Sequence, residues 1–329
     1  MEAKTLQEAI LYFSDEQVCI DAVAKKRWPD GVVCPACEAK NPYWIKTQKR
    51  WKCRDCRRQF SVKLGTIFED SPIPLQKWLP AMWLLVNCKN GVSSYEIHRD
   101  LKVSQKAAWF MLHRLRMILQ VPKATTPDDQ IGGFGTVEVD ETYVGGRAKN
   151  MHKSRRLKLA QVQSESREPT YKGKTVVMGM LDRKLRQVRA TVIPNTKRET
   201  LQEQILQEVF PGSKVYTDEW TGYQGLSQKF AHEIVNHMET YVDGKVHTQG
   251  IENFWSLLKR GLRGTYVAVE PFHLFRYVDE QVFRFNNRKR EDGSKITDAA
   301  RFNKALSLVA GKRLTFAELT GKAGSQETF

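Results

Sequence analysis

Apolar and polar residues follow different periods in the two halves of this 329-residue chain. In residues 1–27 and 72–121 the apolar positions recur with helical spacing, and a short stretch rich in cysteine and aromatic residues lies between them. A linker rich in proline, glycine and small polar residues begins at Val121. From residue 136 to about 290, runs with a period of two mix with amphipathic helices. The pattern predicts an α/β fold after the linker.

The second half contains its predicted elements in a definite order. The first strand is "GTVEVDETYVGG", the next two strands begin near Lys174 and Gln187, and the helix "KRETLQEQILQEVF" follows. A fourth strand begins at Ser213, a short fifth strand lies near His232, and the last helix begins near His247. Three strands in a meander, a helix, two strands and a helix is the order of an RNase H-like fold.

Acidic residues interrupt the apolar pattern where this fold brings elements together. In an RNase H-like fold the first strand, the fourth strand and a late helix deliver carboxylates to one point, and here they carry Asp140, Asp218 and Glu252. Clustered carboxylates repel each other, and two Mg²⁺ (or Mn²⁺) ions would neutralise them and support phosphoryl transfer. The sequence therefore predicts a two-metal site formed by these acids.

The first strand carries three acids, and only one of them is expected to bind metal. Because side chains alternate along a strand, Glu138 and Asp140 point to one face and Glu141 points to the other. Asp140 lies in the middle of the strand and is the predicted ligand. We expect Glu138 to be an outer carboxylate near the site, and Glu141 to pair with a basic neighbour.

The last helix carries basic residues on the same face as its acid. Glu252, Lys259 and Arg263 share this face. Asn253 lies about 100° further around the helix, so the spacing favours Glu252 as the third acid. We expect Lys259 and Arg263 to contact DNA phosphates. His247 is a candidate contact to the scissile phosphate or to a metal, and a capping or solvent-exposed role is the alternative.

Four cysteines occur as two close pairs, Cys34 with Cys37 and Cys53 with Cys56. The spacing C-x2-C-x15-C-x2-C is that of a four-cysteine zinc site, and four closed ligands predict one structural Zn²⁺. Redox C-x-x-C pairs, disulfides, or iron in place of zinc are the alternatives. The basic residues beside the second pair that we expect to contact phosphates are Arg54, Arg57 and Arg58. A solvated charged rim would have the same pattern.

Residues 91–119 predict two short helices joined by a tight turn. Ser93 or Ser94 can cap the first helix, and Ser104 can cap the second. This arrangement is typical of a helix-turn-helix that reads DNA, and an ordinary αα-hairpin is the alternative. The residues of the second helix that we expect to contact DNA are Lys106, Arg114 and Arg116, and His113 is expected at the surface.

The charge of the chain indicates its class of partner. There are 53 Lys and Arg residues against 37 Asp and Glu residues, a net charge of +16, which favours double-stranded DNA. Charge that serves solubility, or an acidic membrane face, is the alternative. No apolar run reaches the roughly 18 residues of a membrane span, and the first residues do not resemble a signal peptide. We expect a cytoplasmic, nucleoid-associated protein without a membrane partner.

These motifs together resemble those of a known family. The stretches "VEVDETYVGG", "VYTDEWTGY" and "IENFWSLLKRGLRGTY", with the N-terminal "CPAC" and "CRDC", are similar to those of IS1595-type DDE transposases, which have an ISXO2-like catalytic domain. The resemblance implies a bacterial or archaeal enzyme that cuts and joins DNA between terminal inverted repeats. It also implies a homodimer or a higher synaptic complex.

The resemblance assigns roles to individual residues. The metal-binding acids of the family fall on Asp140, Asp218 and Glu252, and a basic residue seven positions beyond the third acid falls on Lys259. The basic insertion at 147–158, in which Arg155 and Arg156 are the expected DNA contacts, would hold flanking or target DNA. Two other functions remain open: a DNA-binding regulator with an inactive α/β domain, and an RNase H-like nuclease without strand transfer.

The patterns predict five segments. They are an N-terminal helix at 1–27, a zinc ribbon at 28–68, a helix-turn-helix at 70–122, an RNase H-like catalytic domain at 132–290, and a C-terminal helix and tail at 291–329.

Overall fold

A computed structural model describes residues 3–133, 135–145, 153, 154, 157, 173–235 and 247–322. The chain divides into two compact units. The first contains Met1–Gln120 together with Lys295–Phe329, and the second contains Val121–Ser294. Within the described residues, no helix is both long enough and apolar enough to cross a membrane.

The helices and strands are numbered in chain order. The helices are α1 (Leu6–Tyr12), α2 (Glu16–Arg27), α3 (Leu75–Asn87), α4 (Ser94–Leu101), α5 (Gln105–Ile118), α6 (Arg198–Glu208), α7 (Gln249–Gly261), α8 (Leu274–Asn286), α9 (Asp298–Ser307) and α10 (Phe316–Leu319). The strands are β1 (Tyr43–Ile45), β2 (Arg50–Lys52), β3 (Gln59–Phe60), β4 (Thr136–Val144), β5 (Thr175–Asp182), β6 (Gln187–Ile193), β7 (Lys214–Thr217) and β8 (Ala231–Ile234).

The first unit begins with two helices where the sequence predicted one over residues 1–27. The first helix ends at Tyr12, and a new helix starts after Asp15. The carboxylate of Asp15 caps α2 by accepting hydrogen bonds from the backbone N–H groups of Gln17 and Val18. From the C-terminal segment, Phe302 of α9 is buried in the core of this unit, with its ring 5.3 Å from that of Phe13. The C-terminal helix is therefore part of the N-terminal fold.

The cysteine-rich stretch forms a small antiparallel sheet in the order β1-β2-β3. An aromatic cluster fills it, in which the Trp51 ring lies 4.4 Å from that of Trp44 and 5.5 Å from that of Trp28. This aromatic cluster supplies apolar packing for the small sheet, which has too few residues to form much of a core by itself.

The second unit contains a five-stranded mixed sheet in the order β6-β5-β4-β7-β8. Strands β4, β5 and β6 form an antiparallel meander, whereas β7 and β8 run parallel to β4. The predicted order of strands and helices is confirmed. Strand β4 is central, so residues on both of its faces are covered by helices or loops.

Two apolar clusters cover the two faces of this sheet. On one face Val137 and Val139 of β4 pack with Leu201 and Ile205 of α6. On the other face α7 and α8 supply the second cluster, whose members include Ile251, Phe254, Trp255, Leu258, Tyr277 and Val278. The apolar side predicted for the last helix is thus its buried side.

Helix α8 was not predicted from the sequence. It packs against β6 and α7, and it carries a buried acid, Glu280, which accepts hydrogen bonds from Arg284 and from the hydroxyl of Tyr266. Tyr266 ends the π-helical turn that follows α7. Glu280 and Arg284 therefore fix the backbone immediately after the helix that carries Glu252.

A glycine on β5 makes room for the packing between β4 and α7. Gly179 pairs with Asp140 across the strands. A Cβ atom at Gly179 would lie 2.6 Å from the indole ring of Trp255 and 2.9 Å from the side chain of Ile251. Only a residue without a side chain lets α7 come this close to the sheet.

We expect Gly179→Ala to lower the free energy of unfolding by about 1–3 kcal/mol, because the added methyl group overpacks the contact with Trp255. Urea denaturation of the full chain measures this change. Gly264→Ala is the matched control, since a Cβ atom there meets no other atom within 4 Å. Equal stabilities of the two variants would contradict the packing described here.

Candidate active site and metal centre

Asp140 lies on the face of β4 that α7 covers. Its Oδ2 accepts a hydrogen bond of 2.9 Å from the indole N–H of Trp255. The pKa of Asp140 is raised to about 6, mainly by burial. The charges of Asp218 and Glu252 contribute to this rise, and its hydrogen bonds oppose it. The three predicted acids are therefore close enough to interact electrostatically, although they come from three separate elements.

Asp218 immediately follows β7 and is partly buried. Its Oδ1 accepts a hydrogen bond of 3.1 Å from the backbone N–H of Trp220, which fixes the turn after the strand. The neighbouring Glu219 is exposed. Trp220 remains 48% exposed, and its indole N–H donates to the carbonyl oxygen of Thr196.

Glu252 lies in the first turn of α7 and is exposed. Its Oε1 accepts a hydrogen bond of 3.2 Å from the hydroxyl of Thr248, the residue that precedes the helix. Within the part of the chain that the structure describes, the three carboxylates are not among the groups whose ligand atoms all lie within 4.8 Å of one another. Their oxygens suit Mg²⁺, and a pair of ions can bridge wider spacings than a single ion.

Positive charge lies beside these acids. Burial lowers the pKa of Lys259, and the charges of Arg263 and Lys174 lower it further, while Asp140 acts in the opposite direction. Lys259 is half-buried on α7, and Arg263 is exposed just after it. The sequence patterns identified Lys259 and Arg263 but not Lys174. Lys174 directly precedes β5, and its place beside the other two depends on how β5 pairs within the sheet.

Glu138 is the first acid of β4 and is almost wholly buried at 1% exposure. Its Oε2 accepts from the backbone N–H of Ile251 at 2.8 Å, and its Oε1 accepts from Nε of Arg183 at 2.6 Å. Arg183 also donates to the carbonyl oxygen of His247 and contacts its Nδ1 at 2.9 Å. The ring of His247 is therefore held by Arg183 and Glu138.

Glu141 lies on the opposite face of β4, as alternation predicted. Its partner is the hydroxyl of Tyr223, which donates to Oε1, and not the basic residue that we expected. Burial raises the pKa of Glu141 to about 8, with the charges of Asp140 and Asp218 adding to the shift. The expectation of a basic partner is wrong because this face is covered by the segment after β7, which supplies a phenol.

Asp182 belongs to the turn between β5 and β6. Its two oxygens accept hydrogen bonds from the backbone N–H groups of Gly132 at 2.8 Å and Leu185 at 2.9 Å. The side chain is 1% exposed. Because both oxygens are engaged and the side chain is buried, this acid has a structural role.

The four predicted cysteine ligands converge. All four Sγ atoms lie within 4.8 Å of one another, with Cys34 and Cys56 at 3.7 Å and Cys37 and Cys53 at 3.6 Å. A tetrahedral zinc ion with Zn–S bonds of about 2.3 Å separates its sulfur ligands by about 3.8 Å. The thiols are free of disulfides, so the cluster could bind Zn²⁺.

A basic rim surrounds the second cysteine pair. Arg54, Arg57 and Arg58 are all exposed, and the guanidinium of Arg54 lies over the ring of Tyr43. These residues are accessible to a phosphate backbone.

Helix α5 differs from the expectation for a DNA-reading helix. Ser93 and Ser104 cap α4 and α5 as predicted, but Arg114 and Arg116 are 4% and 1% exposed, and His113 is fully buried. The expectation that these three reach the surface is wrong. These three side chains are buried because other parts of the first unit pack around more than one face of α5. Such burial is typical of a core helix.

The C-terminal segment supplies part of that enclosure. Phe316 of α10 lies within ring contact of Trp109 and Phe110 of α5. Lys106 is exposed, yet its ammonium group lies 4.5 Å from the centre of the Phe316 ring. Arg114 donates to the carbonyl oxygen of Glu69 at 2.6 Å. The two remaining predicted DNA contacts, Arg155 and Arg156, lie outside the described residues.

Two protein-family models match the two parts of the chain that contain the candidate sites. The model of the ISXO2-like transposase domain matches residues 133–286, and that of the transposase zinc-ribbon domain matches residues 14–59. The first range contains all three acids and Lys259, and the second contains the four cysteines.

Two curated relatives are similar to this chain. A protein of Halobacterium salinarum, described as an uncharacterized protein in transposable element ISH50, is 25% identical over 256 residues, which are 76% of this chain and 84% of that protein. An uncharacterized transposase-like protein of Haemophilus influenzae is 35% identical over 101 residues, which are 30% of this chain and 81% of that protein.

We expect Cys37→Ser to lose a metal that the parent protein carries at about one zinc ion per chain, because three thiolates cannot close the tetrahedral site. Metal analysis by mass spectrometry measures the stoichiometry, and tryptophan fluorescence reports on the ribbon through Trp51. Cys88→Ser, a cysteine outside the cluster, should retain the metal. Zinc retained in Cys37→Ser would show that the cluster is not a zinc site.

We expect Asp140→Asn to stabilise the chain at about pH 7.5 by about 1–3 kcal/mol in buffer without added divalent cations. The folded state raises the pKa of Asp140 from 3.8 to about 6. The folded chain then binds this proton more tightly, so stability falls as the pH rises through that window and stays lower above it. Thermal unfolding at several pH values measures the difference between parent and variant, which should shrink at acidic pH.

Asp182→Asn is the control for that experiment. Asp182 accepts two backbone hydrogen bonds, so its replacement should not stabilise the chain at any pH. If the parent protein is as stable as Asp140→Asn at neutral pH, the pKa of Asp140 is not raised in the folded state.

Proposed function

Because the chain belongs to the ISXO2-like transposase family of IS1595-type elements, we propose that it is a DDE transposase, which cuts DNA at the inverted repeats of an insertion sequence and joins the cut ends to a new site. The observation that carries this proposal is the placement of three acids on adjacent elements. Asp140 lies on β4, Asp218 directly follows β7, which pairs with β4, and Glu252 lies in the first turn of α7, whose Trp255 donates a hydrogen bond to Asp140.

The topology of the second unit supports an RNase H-like fold. The sheet order β6-β5-β4-β7-β8 places the antiparallel meander on one side of β4 and two parallel strands on the other. Asp140 lies on the central strand, Asp218 follows the adjacent parallel strand, and Glu252 begins a helix packed on the same face. This fold delivers the three acids to one edge of the sheet.

The donor set fits divalent cations with a preference for oxygen ligands. The charges of Asp218 and Glu252 raise the pKa of Asp140, so nearby positive charge would favour the ionised form of that carboxyl. Two Mg²⁺ ions, held by Asp140, Asp218 and Glu252, would supply the Lewis acid for phosphoryl transfer at the DNA backbone.

The chain's own residues hold the DNA and orient these acids. Trp255 fixes the carboxylate of Asp140 through its indole N–H. Lys259 and Arg263 carry positive charge beside the acids and would bind phosphates next to the cleaved bond. Lys174 adds a third positive charge to the same cluster.

The first unit would hold the ends of the element. The cysteine cluster would bind one structural Zn²⁺, and the exposed Arg54, Arg57 and Arg58 would contact phosphates. Helices α4 and α5 would act as a helix-turn-helix only through the first turn of α5, where Lys106 is exposed. The net charge of +16 suits double-stranded DNA. Cutting two ends together would require at least two copies of the chain.

Two other functions give different results in one assay. A DNA-binding regulator with an inactive α/β domain would bind the inverted repeats and cut nothing. An RNase H-like nuclease would cut DNA but would not join the new 3′ ends to a second duplex. The acids and Lys259 together favour the transposase over the regulator.

We expect the purified protein with Mg²⁺ to cut labelled DNA that carries the flanking inverted repeats and to join the ends to a target duplex. Asp140→Ala, Asp218→Ala and Glu252→Ala should each lower the rate roughly a hundredfold or more, because each removes a ligand for the cations that would stabilise the transition state. Gel analysis of the labelled products measures cutting and joining separately.

Neighbouring polar residues provide matched controls. Glu219 is next to Asp218 and Asn253 is next to Glu252, and both are exposed. Glu219→Ala and Asn253→Ala should keep the parent rate. Cleavage that persists in the three acid variants, or the absence of cleavage by the parent protein, would contradict the proposal.

A further inference from the structure

Two acids of β4 contact the elements that carry the other two candidate metal ligands. We propose that Glu138 and Glu141 are positioning residues for the metal site. Glu138 sets the helix that carries Glu252, and Glu141 sets the segment that carries Asp218. This inference rests on the proposed metal-dependent function, and it gives a role to a buried and a half-buried carboxylate that are not themselves ligands.

Glu138 holds the first turn of α7. Its Oε2 accepts from the backbone N–H of Ile251 at 2.8 Å, and Ile251 is directly followed by Glu252. The first N–H groups of a helix have no partner within the helix, and a carboxylate there also complements the helix dipole. Because Glu138 is 1% exposed, water cannot readily replace it. The height of Glu252 above the sheet therefore depends on this contact.

The packing around Glu138 leaves little freedom. A Cβ atom at Gly250 would lie 2.8 Å from Oε2 of Glu138 and 2.4 Å from the side chain of Leu181. Arg183 binds the other oxygen, Oε1, at 2.6 Å and also donates to the backbone of His247, just before the helix. Both oxygens of Glu138 are thus engaged within the protein, which separates its role from that of Asp140.

Glu141 acts on the opposite face through a tyrosine. The hydroxyl of Tyr223 donates to Glu141, and Tyr223 is 1% exposed. Tyr223 ends a short turn, Thr221–Tyr223, that follows Asp218 closely. Within this short segment, Asp218 accepts from the backbone N–H of Trp220. Strand β7 pairs with β4, and the Tyr223 contact ties the segment after Asp218 to the same central strand.

The proposal pairs each positioning residue with one ligand. Partners that orient metal ligands typically change metal affinity by about 10-fold to 100-fold when they are removed. Loss of the Glu138 contact should act only through Glu252, and loss of the Tyr223 contact should act only through Asp218. A general loss of packing would show no such pairing.

Binding of Mn²⁺, followed by electron paramagnetic resonance on the full-length, zinc-loaded protein without DNA, tests this. We expect Glu138→Gln and Tyr223→Phe each to raise the dissociation constant about 10-fold to 100-fold. Glu138→Gln should add little in a Glu252→Ala background, and Tyr223→Phe should add little in an Asp218→Ala background. In the crossed combinations the two effects should multiply.

Glu208→Gln is the matched control. Glu208 is a buried acid of the same unit that accepts from the backbone N–H of Ala124 at 3.4 Å and lies 3.9 Å from Nε of Arg189. These two partners of the Glu208 carboxylate lie in the segment before β4 and on β6, away from the elements that carry the metal ligands, so the variant should bind Mn²⁺ like the parent. Should Glu138→Gln not fold, Arg183→Lys removes the planar contact to Glu138 while it keeps the charge.

The outcomes separate this inference from the proposed function. Unchanged Mn²⁺ affinity in both Glu138→Gln and Tyr223→Phe overturns the inference, and so does equal weakening in Glu208→Gln. Paired weakening of Mn²⁺ binding supports it even in a protein that cuts no DNA, and in that case the transposase proposal alone fails.

Discussion

Two hydrogen bonds hold helix α7 against strand β4, and the candidate active site depends on them. Ile251 donates to Glu138 at 2.8 Å and Trp255 donates to Asp140 at 2.9 Å. Two residues along a strand advance about 6.7 Å, and four residues along a helix advance about 6 Å. The two spacings match, so both bonds form together when the helix follows the strand over this stretch. Glu252 lies between the two donors and is carried into place with them.

The same arrangement is costly for the protein without metal. Asp140 is half-buried and has two acidic neighbours. Burial, with a smaller contribution from their charges, raises its pKa to about 6, and burial raises the pKa of Glu141 on the other face to about 8. Burial of carboxylates near one another destabilises a fold unless a proton or a cation compensates. The fold is less stable here at a site where the proposed metal binding needs clustered negative charge. The large apolar clusters on both faces of the sheet supply the opposing stability.

Local features of the sequence predicted much of this structure. Alternation along β4 separated Asp140 from Glu141 correctly, and the 3.6-residue period of α7 identified its buried side. The spacing of the cysteines predicted the four-thiol cluster, because each C-x2-C pair fixes its own local geometry. The periods of strands and helices and the spacing within a cysteine pair are local properties, so they can be recognised without knowledge of distant partners.

Features that depend on distant partners were not predictable in this way. Arg114 looked like an exposed basic residue of a helix, but its partner is the backbone of Glu69, 45 residues earlier in the chain. Phe316, from the C-terminal segment, covers the start of α5. The phenol of Tyr223 took the place of the basic partner expected for Glu141. In each case tertiary packing decided the environment, and a single-sequence pattern contains no signal for it.

Gly179 shows how such a protein could lose its activity without losing any acid. The residue carries no chemical group, yet it faces Asp140 across the sheet and lies under the ring of Trp255. Almost any base change in the first two positions of a glycine codon introduces a side chain, which here would displace the indole that donates a hydrogen bond to Asp140. In the proposed transposase, a sequence with all three acids intact but a side chain at this position would hold Asp140 in the wrong place. Intact acids alone would therefore not identify a working site, and Gly179 and Trp255 need to be compared together with them.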